Sequence, residues 1–140
     1  MIFENLFKSN YFKFLFIISI FAFDRISKMY VIYLDKKMFG SELFASKFLN
    51  ISLVWNQGIA FGLFSFDQNY FYNLLTIIIS VIIFIIFIMM IQQKGLKKYA
   101  LSMIFGGALG NIYDRIFFKA VPDFIDFHIA NFHWFIFNIA

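Results

Sequence analysis

The sequence predicts an all-α membrane protein, a bundle of four transmembrane helices with the fourth incomplete, and a small extramembrane β-structure. Three observations carry this prediction. Of 140 residues, 62% are hydrophobic and 14% charged, with a mean hydropathy of +0.80. Soluble domains are about half apolar and a quarter charged, and a globule of this size has too much surface to hide so much apolar material. Apolar stretches recur at the length needed to cross a hydrocarbon core, roughly 20 residues for about 30 Å. One segment between the first two stretches is instead short, β-branched and aromatic. The composition excludes disorder and a nucleic-acid arm. The absence of cysteine excludes disulfides, thiolate nucleophiles and cysteine metal sites. At this length the chain is a single domain, 1–140.

The first span covers about 12–34 and contains Asp24, Arg25 and Lys28. Charged residues follow its apolar run with no small-x-small cleavage site, so it reads as an uncleaved anchor rather than a signal peptide. The outer connection, 35–73, is long for a linker and is expected to be structured. Within it, residues 48–55 (Phe-Leu-Asn-Ile-Ser-Leu-Val-Trp) read as a strand leading into Asn56-Gln57-Gly58. The second span, 74–91, holds nothing more polar than Thr76 and Ser80. The third, about 99–118, contains Asn111, Asp114 and Arg115. A fourth is expected to begin near Phe132 and to be present only as 132–140, roughly 13.5 Å of helix and under half a bilayer.

Orientation follows from loop charge. Lys8 and Lys13 precede the first span, and Lys94, Lys97 and Lys98 follow the second without an acid among them. The connection 35–73 is balanced in charge. Both basic segments are expected in the cytoplasm, which requires the even number of spans that separates them. The net charge of +4 is then topological and calls for no nucleic-acid partner.

Ionisable groups inside a span cost about 2.5–3.5 kcal/mol each on insertion scales, so they invite a functional explanation. Asp24 and Lys28 stand four apart on one helix face and can pair; a helix end wetted by headgroups is the bland alternative. Gly106 and Gly110 form a small-xxx-small stripe that lets two helices approach closely. Asn111, Asp114 and Arg115 follow at spacings of three and four, offering an amide, a carboxylate and a guanidinium on one side. A structural hydrogen-bond network explains them equally well. Pro122 ends any helix and biases Val121 toward extended backbone, with Asp123 next and Asp126 three further on. Asp123 could be a plain loop acid, and Asp126 reads as an exposed or structural one. Asn138 sits in apolar surroundings, where an amide needs a partner. His128 and His133, five apart with no ligand pattern around them, give no expectation of a metal.

Taken in order, five motifs resemble the bacterial lipoprotein signal peptidases (type II signal peptidases) over essentially the whole chain. Asp24-Arg-Ile-Ser-Lys28 resembles D-x-x-x-K, and Asn56-Gln-Gly58-Ile-Ala60-Phe61 is similar to N-x-G-x-A-F. Gly106-Gly107-Ala-Leu-Gly110-Asn111-Ile-Tyr-Asp114-Arg115 resembles G-G-x-x-G-N-x-x-D-R. Val121-Pro-Asp123-Phe124 resembles V-x-D-F, and Phe137-Asn138-Ile-Ala140 resembles F-N-x-A-D without its last residue. Arg25 stands where the family more usually has Gln.

The resemblance implies an intramembrane aspartic endopeptidase of four helices and a small periplasmic β-structure. Such an enzyme removes the signal peptide of a prolipoprotein just before its diacylglyceryl-modified cysteine, with no metal or cofactor. Asp123 would be one catalytic acid, and the second is expected at position 141. Asp24, Lys28, Asn56, Gly58, Asn111, Asp114, Arg115 and Asn138 would bind substrate or support the acid pair. Two close carboxyls share a proton, so one serves as base toward water while the other polarises the scissile carbonyl. The chain is expected to be a monomer in the bacterial inner membrane, surrounded by lipid, with the cytoplasmic N-terminus that the loop charges give and a site toward the periplasm. A chain ending at 140 is expected to be inactive until extended by an aspartate and a further apolar stretch. The alternatives are an inactive, truncated or decayed membrane protein and a small transporter or channel subunit. A transporter would more typically show a repeat or paired broken helices, and the sequence shows neither.

Overall fold

The computed structural model describes residues 2–58 and 69–140, with side chains from residue 14 onward and at Tyr11 within the first helix. The elements run α1 (Ile2–Lys37), β1 (Phe44–Ala45), β2 (Leu49–Asn56), α2 (Asn69–Gln92), α3 (Gly95–Phe118), β3 (Val121–Ile129) and β4 (Phe132–Phe137).

Helix α1 contains the expected first span and overruns it at both ends. Helix α2 is the most apolar element, and its Tyr70–Gln92 stretch is long and apolar enough to cross a membrane. Most of its large side chains, Ile77, Val81, Phe84 and Ile85 among them, are exposed. That is an inside-out pattern, suited to lipid rather than water. Helices α1 and α3 carry the ionisable residues, and among the described residues only α2 passes as a span by composition alone.

The contacts fix the directions of the helices. Gly106 packs on Ile17 and Ile20, and Gly110 on Asp24, so α1 and α3 run parallel. Tyr72 meets Arg115, and Phe87 stacks near Phe105, so α2 runs antiparallel to both. The glycine stripe faces α1, a partner the sequence left open. A methyl group built on Gly110 would collide with the Asp24 carboxyl; the absence of a side chain at 110 is what lets that carboxyl sit against α3.

At the end where α1 and α3 finish sits an antiparallel sheet of order β1-β2-β3-β4. Helix α3 stops at Phe118, with Lys119 in the left-handed region, and the Val121-Pro122 pair then starts β3. Strand β2 coincides closely with the β-branched run, and its pairing of Val54 with Asp123 places the acid directly above the α1–α3 pair.

Residues 132–137 are a strand, not the start of a fourth helix. They return along β3 as a hairpin, with His128 opposite His133 and Ile125 opposite Phe137. A short apolar run bounded by a turn fits a strand or a helix equally well by periodicity. The aromatic content of Phe-His-Trp-Phe-Ile-Phe and an adjacent strand edge decide for the sheet. Three helices are present among the described residues. The Ile59-Ala60-Phe61 end of the N-x-G-x-A-F motif lies outside the described residues.

Candidate active site

Two polar clusters form where α1, α3 and the sheet meet. The first lies between the helices. Lys28, fully buried, donates at 2.8 Å to each of Asp24 Oδ2, Asn111 Oδ1 and Asp114 Oδ2. Arg25 donates to the other oxygen of Asp114 and lies over the Tyr113 ring, 4.8 Å from its centroid. Two carboxylates thus face two cations, and the cluster is formally neutral. That balance is what makes burial of four charges tolerable. The helix spacings explain the geometry: Asp24 and Lys28 share one face of α1, while Asn111 and Asp114 share one face of α3. Arg25 is a member the sequence singled out only as a departure from a motif. Its long side chain reaches across to the acid from the edge of the same face.

The second cluster surrounds Asp123. Asn56 Nδ2 donates to its Oδ2 at 2.8 Å, and Asn138 Nδ2 donates to its Oδ1 at 2.6 Å. Both donors are neutral amides, and among the described residues no cation pairs with the acid directly. Asp123 is 5% exposed. Burial pushes its carboxyl above the ordinary carboxylate range; the two amide hydrogen bonds and the more distant charges of Lys28 and Arg115 pull the other way.

The clusters are joined by two amides. Asn138 Nδ2 also donates to Asn111 Oδ1 at 3.1 Å, the same oxygen that receives Lys28. Asn138 Oδ1 accepts the backbone N–H of Ala140 at 2.7 Å. Every polar atom of Asn138 therefore has a fixed job, which leaves its side chain one orientation. Arg115 points elsewhere: its Nη2 donates to the Gly58 carbonyl at 2.9 Å, and Gly58 N–H donates to Asn56 Oδ1 at 2.8 Å. Arg115 and Gly58 thus hold Asn56, and Asn56 holds Asp123.

A cleft of about 330 Å³ opens beside the acid, with Asn56, Asn111, Arg115, Asp123, Asn138 and Ala140 in its wall. All nine residues singled out from the sequence lie in the two clusters or their support. Asp126 is not among the cleft residues, and it is not exposed. It is 5% accessible and receives His133 Nδ1–H on Oδ2 at 2.7 Å. His128 and His133, remote by local spacing, are brought face to face by the hairpin. No sequence signal predicts this trio; only the β3–β4 register creates it.

The family described as signal peptidase (SPase) II matches residues 16–140. The lipoprotein signal peptidase of Pelagibacter ubique (strain HTCC1062) is 46% identical over 133 residues, 95% of this chain and 80% of that protein. The lipoprotein signal peptidase of Anaplasma marginale (strain Florida) is 39% identical over 126 residues, 89% of this chain and 72% of that one. A solved bacterial membrane enzyme, determined by the in meso method, superposes with a TM-score of 0.67 at 30% identity over 91% of this chain and 76% of its own.

Proposed function

The chain belongs to the signal peptidase II family, and from that premise we propose that Asp123 is one of the two acids of its catalytic pair. The protein is an aspartic endopeptidase of the membrane that removes signal peptides from prolipoproteins. One observation carries the assignment of Asp123. Among the described residues it is the only side-chain carboxyl in the cleft wall, and it is held by amides with no cation paired to it there.

An acid so placed can exist in either protonation state. A salt-bridged carboxylate, by contrast, is locked as the anion and cannot donate a proton. The partner acid belongs at position 141. Ala140 N–H is bound by the same Asn138 that binds Asp123, so the position that follows is tethered within two hydrogen bonds of the cleft. With one proton between the two acids, the ionised one takes a proton from water as the water attacks the scissile carbonyl. The protonated one hydrogen-bonds the carbonyl oxygen and then supplies the departing amine.

Asn56 and Asn138 orient Asp123, Arg115 and Gly58 support Asn56, and the Asp24–Lys28–Asn111–Asp114 cluster anchors the helices beneath. The substrate's diacylglyceryl cysteine fits a site at the membrane surface, where the exposed apolar faces of α1 and α3 reach the sheet. The charge pattern supports a cytoplasmic N-terminus and a sheet on the periplasmic side of the inner membrane. A reporter fused after residue 66 should be periplasmic and one fused after residue 94 cytoplasmic; the reverse would reject this orientation.

The catalytic assignment is tested by processing of a diacylglyceryl prolipoprotein in cells lacking their own enzyme. Because 132–137 belong to the sheet, the protein carrying aspartate at position 141 and a following apolar stretch of about 20 residues, enough for a whole span, should process it. Replacement of either acid by Asn should stop processing. Robust cleavage with asparagine at 123 would overturn the assignment.

A further inference from the structure

The β3–β4 hairpin carries, outside the cleft lining, an assembly that the peptidase chemistry does not use. Asp126 and His128 lie two apart on β3, and His133 is the cross-strand partner of His128. The β3–β4 register shifts between Asp126 and His128, and the three side chains converge: one ligand atom from each lies within 4.8 Å of the other two. The imidazoles are stacked, with centroids 5.1 Å apart and planes 24° from parallel.

Hydrogen bonding accounts for only part of this arrangement. His133 Nδ1 and Asp126 Oδ2 satisfy each other. Asp126 Oδ1 and His128 Nδ1 are both buried without a hydrogen-bond partner among the described residues. Leaving such a group unpaired costs about 1–3 kcal/mol. The orphan carboxylate oxygen and the orphan imidazole nitrogen belong to side chains whose ligand atoms converge within 4.8 Å. In the Nε2–H tautomer His128 Nδ1 is a Lewis base like the carboxylate. A single cation would satisfy both.

We propose that Asp126, His128 and His133 bind a divalent zinc ion that clamps the end of the β3–β4 hairpin. Two imidazoles and one carboxylate form a nitrogen–oxygen donor set suited to zinc, with a fourth position left for water. Ligands about 2.1 Å from one ion stand at most about 4.2 Å apart, so side-chain shifts of less than about 1 Å close the site. The His133 side chain is 54% exposed, which leaves a path for the ion from solvent. The hairpin gives the clamp a consequence. Strand β4 leads in five residues from His133 to Asn138, and Asn138 orients Asp123. An ion that fixes the β3–β4 register therefore fixes the amide beside the catalytic acid.

The chain contains two histidines and no cysteine, so every imidazole resonance of the untagged protein belongs to this site. The test is titration of the detergent-purified, chelator-stripped protein with zinc chloride alone, followed by imidazole NMR and by direct zinc binding. The expected result is one equivalent of zinc bound, with the resonances of both histidines moving together to a limit at that equivalent. Asp126→Asn and His133→Ala should each weaken binding at least tenfold, while circular dichroism reports that the sheet is retained. The unaltered chain provides the first readout even if a variant fails to fold. Imidazole resonances that stay fixed through a tenfold excess of zinc would overturn the proposal, whether or not zinc binds elsewhere. So would affinity that is unchanged in Asp126→Asn, which would mean a water-bridged network rather than a metal site.

Discussion

The Lys28 cluster and the Asp123 cluster share Asn111 and Asn138 as a boundary, yet they treat buried acids in opposite ways. Between α1 and α3, Asp24 and Asp114 are matched by Lys28 and Arg25, and none of these four lines the cleft, which takes only Asn111 from that cluster. On β3, Asp123 receives only neutral amides and borders the cleft. Pairing with cations stabilises the carboxylate form and ties two helices together. Holding an acid by amides costs more, because its charge is uncompensated, but keeps both protonation states within reach. The contrast separates an acid that builds the scaffold from one that can do proton chemistry.

The sharpest way to break that contrast is to exchange each acid's chemistry while keeping its shape. In the protein extended through position 141, Asp123→Asn should lower processing by about 10⁴-fold or more, the usual scale for losing one member of a catalytic unit. Asp126→Asn, outside the cleft, should only weaken it. Equal loss in both variants, measured as precursor accumulation, would mean that the cleft does not define the site.

Lys28→Met attacks the other cluster. It leaves two carboxylates facing each other with Arg25 alone to answer them, and should destabilise the protein by about 3–5 kcal/mol, as for removal of one partner from a buried ion pair. Thermal unfolding in detergent reads this directly. Lys28→Met combined with Asp24→Asn should recover part of the loss, because the stranded charge is gone.

Asn138→Ala and Asn56→Ala each remove one amide from Asp123. Loss of a hydrogen bond to a charged group should cost about 1.5–3 kcal/mol in the transition state, roughly 10–150-fold in rate. Both amides favour the ionised carboxyl, so the acid limb of the pH–rate profile should move upward in each variant. A downward shift would show that the amides stabilise the protonated form instead.

The smallest effect is on stability. Burial raises the Asp123 carboxyl above its unfolded value, so between those two values the folded protein binds more protons than the unfolded chain. Its contribution to stability is fully present below the unfolded value and falls as pH rises toward the folded one. Asp123→Asn removes this penalty. Its melting temperature should exceed the parent's at pH 7, and the gap should shrink as pH falls through the raised folded value and be closed below about 4, the ordinary Asp range. A gap that widens toward acid would contradict an acid held by amides alone.

Much of this contrast can be read along the chain, and the parts that cannot share a cause. Asp24 with Lys28, and Asn111 with Asp114, are spaced for one helix face, so their convergence needs only the 3.6-residue repeat. Asn56, Asp123 and Asn138 are conspicuous as polar residues in apolar or β-rich settings, and the order of motifs groups them. Arg25 is harder to place, because its reach across to Asp114 depends on where α3 packs. Residues 132–137 were misleading because hydrophobicity reports burial or lipid contact without reporting backbone form.

Local sequence determined the three helices, the strand that precedes Asn56, the stop at Pro122 and the chemical types available to the site. Those follow from propensity and periodicity acting over a few residues. The packing of the glycine stripe on α1, the strand character of 132–137 and the meeting of Asp126 with both histidines were decided by tertiary structure. Each depends on which surfaces touch or which register a hairpin adopts. A one-residue slip in that register would send the side chains of β4 to the opposite face, leaving its composition unchanged while separating Asn138 from Asp123.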